Sequence, residues 1–230
     1  MTIKTQRLLD RAKKIAKKGG HEEARKLYTT ILEASPTNQE AKNGLLALQQ
    51  GKDQLSPPKA EIQSVFALYS NGQIQEALDS VETLTKGYPN EPILYNISGV
   101  CYKAIGRLDA AVKSFEKAVA LKPDYIEAHY NHGVTLKELG QLDAAVKSYE
   151  KALAIKPDYT DAHYNLGNAF KELDQLDAAA KSYEKALALK PDHAEAHNNL
   201  GNVLSDLGQH NAAVKSYEKA LAIKPDYAEA

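Results

Sequence analysis

The sequence predicts an all-α solenoid of stacked antiparallel helix pairs, and three observations carry the prediction. The first is a strict period: Pro89, Pro123, Pro157, Pro191 and Pro225 are each 34 residues apart, with KPDY at 122–125, 156–159 and 224–227 and KPDH at 190–193. A fixed period of this length marks a repeat architecture. The second is that each period holds two stretches with helical spacing of apolar residues and a short break between them, as in IEAHYNHGVTLKEL, GQL, DAAVKSYEKALAIKP. The third is a set of small residues in register, which let helix axes approach and bury a surface that one pair could not bury alone.

Aligning on the prolines gives units 58–91, 92–125, 126–159, 160–193 and 194–227. Units 126–159 and 160–193 share 24 of 34 residues. Within each unit the first helix ends before Gly106, Gly140 or Gly208, where a left-handed cap residue is wanted. Asp174 takes that place in unit 160–193. Asp124 with Glu127 and Asp192 with Glu195 have capping-box spacing for the start of the next first helix. In the second helix Ala145, Tyr149, Ala152 and Leu153 share one face, and the following proline ends it. Gly99, Gly133, Gly167 and Gly201 hold the eighth position; Ala111, Ala145, Ala179 and Ala213 the twentieth; Ala118, Ala152, Ala186 and Ala220 the twenty-seventh. Phe115, Tyr149, Tyr183 and Tyr217 supply the bulk between them.

The N-terminal part is more divergent. Residues 5–38 carry Gly19, Ala24, Tyr28, Ile31 and Pro36 at matching offsets and read as a degenerate repeat. Residues 39–50 read as an extra helix, and 51–57, rich in turn residues, as a linker. At the other end 228–230 open another first helix, which leads to the expectation of a truncated repeat and a natural chain that continues. Val214 and Leu221, seven residues apart on the last second helix, should then lie uncovered and invite self-association.

Composition narrows the function. Charged residues make up 26% and the net charge is −1, so nothing attracts a phosphate backbone or an anionic membrane in general. No apolar stretch reaches the length of a membrane span, and the basic N-terminus lacks the apolar core of a signal peptide, so the expected address is cytoplasmic. Along residues 1–18 the cations Lys4, Arg7, Arg11, Lys13, Lys14, Lys17 and Lys18 flank an apolar stripe of Leu8, Ala12 and Ile15, which reads as repeat packing. Cys101, the lone cysteine, reads as a small buried residue. His129, His163 and His197 recur at the fourth position, so they line up along the stack and take a packing role. His129 and His132 are three apart but lack a third ligand, and neither a metal site nor a cofactor is expected. No nucleophile elbow, Cys–His arrangement or phosphate loop is present, so no catalytic residues are assigned. Ser114, Ser148, Ser182 and Ser216, set among lysines and glutamates, read as surface positions on a solvated helix face.

Glycine at position eight, alanine at twenty, an aromatic at twenty-four, alanine at twenty-seven and proline at thirty-two resemble the tetratricopeptide repeat, a pattern strong over 92–227 and present from 58. The first-helix aromatic, Tyr95, gives way to His129, His163 and His197, and Asp174 replaces a cap glycine. The resemblance implies a right-handed superhelix whose first helices line a concave groove that binds protein segments. Asn131, Asn165 and Asn199 at position six, with Asn168 and Asn202 at position nine, would form an amide ladder there, joined by Tyr130, Tyr164, Lys137 and Lys171. An amide offers a donor and an acceptor, as an extended peptide backbone needs; equally, these asparagines could tie neighbouring repeats together. The stretches AHYNLGNAFKEL and AHNNLGNVLSDL resemble the repeats of the O-linked N-acetylglucosamine transferase family, in which such a ladder holds substrate peptides. Carboxylate-clamp repeats, by contrast, need lysine at position five, where this chain has Asn96, Tyr130, Tyr164 and Asn198. Units 126–159 and 194–227 differ at nine positions, all within the first eighteen, so variation falls on the groove-lining helix. The expected function is a non-enzymatic scaffold that binds an extended peptide or protein segment. The alternatives are the targeting arm of a larger transferase and a self-assembly module.

Overall fold

In a computed structural model of the chain, residues 3–17, 20–53 and 56–226 are described. They form thirteen helices and no strand: α1 (Ile3–Lys17), α2 (His21–Ala34), α3 (Gln39–Asp53), α4 (Lys59–Ser70), α5 (Ile74–Gly87), α6 (Pro92–Ala104), α7 (Leu108–Leu121), α8 (Ile126–Glu138), α9 (Leu142–Ile155), α10 (Thr160–Glu172), α11 (Leu176–Leu189), α12 (Ala194–Asp206) and α13 (His210–Ile223). The backbone separates into two compact units, one of residues 1–61 with 83–90 and one of 62–82 with 91–230.

In the first unit α1 and α2 pair, and α3 packs on both. Leu9, Ala12, Ala24, Tyr28, Ile31, Ala41 and Leu48 form its core, joined by half-buried Leu8 and Ile15, so the apolar stripe of the basic first helix is turned into this core. Its cations reach neighbouring carboxylates, Arg11 to Glu23 at 3.1 Å and Lys13 to Glu40 at 2.5 Å. A Cβ on Gly44 would lie 2.4 Å from the Tyr28 ring, so α3 seats on α2 through a glycine as later first helices do. Asn38 caps α3 by accepting the Ala41 N–H. This helix runs on to Asp53, into the stretch read as linker, while Gly19 lies outside the described residues.

The second unit contains the pairs α6/α7, α8/α9, α10/α11 and α12/α13. Second helices α7, α9 and α11 each pack on the first helix of the next pair, and successive first helices also touch, which makes the first helices the inner row of the stack. The close approach within a pair depends on the position-eight glycine. A Cβ on Gly133, Gly167 or Gly201 would lie within 2.7 Å of the ring of Tyr149, Tyr183 or Tyr217. The alanines at positions twenty and twenty-seven are buried in every pair.

Each first helix ends in a Schellman-type turn: the Gln141 N–H donates to the Leu136 carbonyl and the Gly140 N–H to the Lys137 carbonyl, around a left-handed Gly140. Gly106 and Gly208 do the same, and Asp174 is left-handed as well, at φ 57°.

Two sequence expectations are corrected here. The N-caps of α8 and α12 are Tyr125 and His193, not Asp124 and Asp192, and only His193 makes a side-chain cap bond, to the Ala196 N–H. Pro123 and Asp124 instead form the centre of a turn in which the Tyr125 N–H donates to the Lys122 carbonyl. Ser148, Ser182 and Ser216 are buried, not surface residues, and each hydroxyl is satisfied by donating to the carbonyl four residues back, at Ala144, Ala178 and Ala212; Ser114 makes the same bond to Ala110 and is half-buried. Among the described residues no helix is long and apolar enough to cross a membrane.

Candidate functional site

Positions two, six, nine and thirteen of a first helix are spaced i, i+4, i+7 and i+11 and share one stripe. On α10 the stripe reads Asp161, Asn165, Asn168, Glu172; on α12 it reads Glu195, Asn199, Asn202, Asp206; on α8 it reads Glu127, Asn131, Val134, Glu138. All five asparagines are half-buried, so they meet both the stack and solvent.

The position-six amides are tied to the preceding pair. Asn131 Nδ2 donates to Asn96 Oδ1 at 3.2 Å, Asn165 Nδ2 to the Tyr130 hydroxyl at 3.0 Å and Asn199 Nδ2 to the Tyr164 hydroxyl at 3.2 Å. In each case the acceptor is the position-five residue, 35 residues back. Asn165 Nδ2 also donates to the Asp161 carbonyl and Asn199 Nδ2 to Asn168 Oδ1, which commits both protons of each amide. The position-nine row is committed the other way round: Asn168 Oδ1 accepts from the Tyr183 hydroxyl at 2.7 Å and Asn202 Oδ1 from the Tyr217 hydroxyl at 2.8 Å. Among the described residues, what stays unpaired is therefore the Oδ1 of Asn131, Asn165 and Asn199, the second proton of Asn131 Nδ2, and the Nδ2 of Asn168 and Asn202. On α10 and α12 the free acceptors and free donors lie on separate, adjacent rows rather than together on each amide.

In unit 126–159 the ninth position is Val134, and the buried Tyr149 hydroxyl is left with no partner. Burial raises the pKa of the Tyr149 phenol well above its ordinary value.

Aromatic rings flank the stripe. Tyr130 lies 4.9 Å from Tyr159, and Tyr164 stacks on His193 at 4.8 Å. The Tyr130 phenol is raised chiefly by burial and next by the Asp161 carboxylate. Tyr125 and Tyr159 are both pushed up to about 12, burial being the main cause. Lysines at position twelve bind the position-thirteen carboxylate of the next pair, Lys103 to Glu138 at 2.8 Å and Lys137 to Glu172 at 2.7 Å. Lys171, also expected at the site, makes no ion pair among the described residues.

The histidines serve packing and one further purpose. His129, His163 and His197 are buried, and each Nε2 donates to the carbonyl of the proline six residues back, Pro123, Pro157 and Pro191, at 2.8–2.9 Å. They pin each first helix to the turn before it. His132 Nδ1 meets the Ser148 hydroxyl at 3.2 Å, and burial lowers its pKa. Among the described residues no three His, Cys, Asp or Glu side chains cluster as a metal site would require. Cys101 is buried, which pushes its thiol up to about 11.

Two cavities lie elsewhere. One of about 640 Å³ is lined by Leu153, Pro157, His163, Lys185 and Leu189, and a counterpart of about 490 Å³ lies one repeat further on. Neither is lined by the amide rows. The 35-residue coupling of position six to position five was missed from sequence, although Asn131/Asn96 and Asn165/Tyr130 spell it out once a one-residue offset between repeats is allowed.

The family model described as TPR repeat matches residues 99–140, 133–174 and 167–208, and the model described as Tetratricopeptide repeat matches 194–227. Among curated proteins, the peroxisomal targeting signal receptor of Kluyveromyces lactis is 27% identical over 74 residues, 32% of this chain and 13% of the receptor. The receptor of Candida glabrata is 27% identical over 63 residues, 27% of this chain and 11% of that protein. The chain thus spans only about an eighth of the length of these relatives. Among solved structures, MamA superposes with a TM-score of 0.68 at 26% identity, over 76% of this chain and 100% of MamA. YrrB, described as a TPR protein with an unusual peptide-binding site, superposes with a TM-score of 0.67 at 22% identity, over 80% of this chain and 93% of YrrB.

Proposed function

Because the chain belongs to the tetratricopeptide-repeat family, we propose that it is a non-catalytic scaffold that holds an extended protein segment along the first-helix stripes of α8, α10 and α12. The observation that carries this reading is the pair of amide rows. The unpaired Oδ1 atoms of Asn165 and Asn199 would accept backbone N–H groups, and the unpaired Nδ2 groups of Asn168 and Asn202 would donate to backbone carbonyls. A backbone-reading surface tolerates many sequences and favours segments that are disordered before binding. Asn131 extends the first row, while Tyr130 and Tyr164 flank it and hold it in place. Lys137 and Lys171 border the stripe. The segment is protein rather than nucleic acid or lipid, and the chain acts in the cytoplasm. The likeness to the transferase repeats adds a use for the same face, as the targeting arm of a larger enzyme; a catalytic domain encoded beyond codon 230 would decide that point.

The test is selection of a random peptide library against the chain, followed by Asn168→Ala and Asn202→Ala together. Each removes a free donor, so affinity for the selected peptides falls about tenfold per position while helicity is kept. Unchanged affinity per folded molecule would make the asparagines inter-repeat ties alone.

One observation favours self-association as a second activity. Val214 is 53% exposed and Leu221 38%, whereas Val146 and Leu153 at the same positions pack into the core beneath the next pair. The contribution of residues 227–230 to covering them lies outside the described residues. Val214→Lys should abolish any concentration-dependent rise in mass by light scattering, and a wild-type chain that stays monomeric at high concentration would end this reading.

A further inference from the structure

The first helices carry a charge that the composition conceals. Over α8, α10 and α12 there are six carboxylates against two lysines, whereas α9, α11 and α13 hold five carboxylates and six lysines. A chain near neutrality overall is therefore acidic along the inner row.

Ion pairing sharpens the difference. The position-thirteen acids Glu138 and Glu172 are answered by Lys103 and Lys137, and Glu195 is approached by His193 at 3.3 Å. Glu127, Asp161 and Asp206 make no ion pair among the described residues. Glu127 and Asp161 are the position-two acids of successive first helices, four residues before Asn131 and Asn165 on the same stripe, and both are exposed. Asp161 helps to raise the Tyr130 phenol and Glu127 the Tyr159 phenol, so both carboxylates act on the same face. The nearby acceptors favour the same ligand, because Asn165 and Asn199 have committed both amide protons and keep only Oδ1 unpaired.

We propose that the segment held on this face is basic, an extended stretch whose lysine or arginine side chains meet Glu127, Asp161 and Asp206 while its backbone follows the amide rows. This rests on the peptide-binding reading above and adds the ligand class to it. Unanswered carboxylates on one stripe with acceptor oxygens suit a cationic side chain, which brings only donors. A carboxylate beside Glu127 or Asp161 would meet like charge. Lys171, unpaired on the same helix, works against such a ligand and should lower its affinity.

Three labelled peptides of equal length and low complexity test this by fluorescence anisotropy: lysine/serine, threonine/serine and glutamate/serine. At low salt the lysine peptide should bind about tenfold more tightly than the neutral one, and the glutamate peptide least. Physiological salt should narrow the difference. Changing Glu127→Gln, Asp161→Asn and Asp206→Asn together should bring the lysine peptide to the level of the neutral one, with neutral binding unchanged. Lys171→Gln should tighten lysine-peptide binding, whereas Glu150→Gln with Glu184→Gln on the second helices should change nothing. Equal binding of lysine and neutral peptides, or a preference that survives the triple change, overturns the basic ligand and leaves the peptide face standing. Binding of none of the three overturns both.

Discussion

Tyr149 carries a hydroxyl that its surroundings cannot satisfy. Its counterparts Tyr183 and Tyr217 donate to Asn168 and Asn202, while Phe115 has no hydroxyl to place and its unit carries Val100 at position nine. Unit 126–159 joins the tyrosine of one solution to the valine of the other, at Val134. A buried hydroxyl without a partner costs about 1–3 kcal/mol, while a satisfied one contributes about 1 kcal/mol net. Tyr149→Phe should therefore hold or raise the urea midpoint, and Tyr183→Phe should lower stability by about 1 kcal/mol. Equal losses at the two positions would show that Tyr149 has a partner after all. Residue type alone concealed this contrast. The same limit applies to the serines: a hydroxyl among charged neighbours looks solvated, whereas its bond to the carbonyl four residues back lets it be buried.

At the scale of the helix, the ends were the most and the least legible features. Glycine before a break announces a left-handed residue, and Gly106, Gly140 and Gly208 have it. Asp174 was readable because its neighbours in the period are glycines, and it does adopt φ 57°. That conformation costs a non-glycine residue about 1 kcal/mol, so Asp174→Gly should raise the melting temperature by a few degrees. A lowered melting temperature would mean that the aspartate side chain stabilises the turn by more than the strain it brings. Helix starts were harder to read, because aspartate favours both N-caps and turn centres. Beside Pro123 the turn prevails, and the cap position passes to Tyr125. The histidines were assigned to packing without their partners, since a bond to a proline carbonyl six residues back belongs to neither helix alone.

At the scale of the whole molecule, the period and the small residues specify helix pairs and their stacking, and both are present. The candidate face was legible as a set of residues but not as a pattern of bonds. Its ties run between position six and the preceding position five, an offset of 35 that a 34-residue alignment hides. The stack also buries tyrosines in a way that pH should expose. Tyr125 and Tyr159 rise from 10.0 to about 12, so the folded chain keeps protons that the unfolded chain gives up. Their contribution is fully present below pH 10 and is lost as pH climbs through the window up to about 12. Urea midpoints should fall across that window, and a flat profile there would mean that the two rings are hydrated.

The central claim, that a protein segment lies along the two amide rows, is tested most directly by nuclear magnetic resonance of the asparagine side chains during titration with a selected peptide. The account predicts that the NH2 resonances of Asn168 and Asn202 shift and saturate together, because theirs are the donors left free. Shifts confined to the second helices, around Leu153 and Leu189 in the outer cavity, with both amides silent, would contradict it.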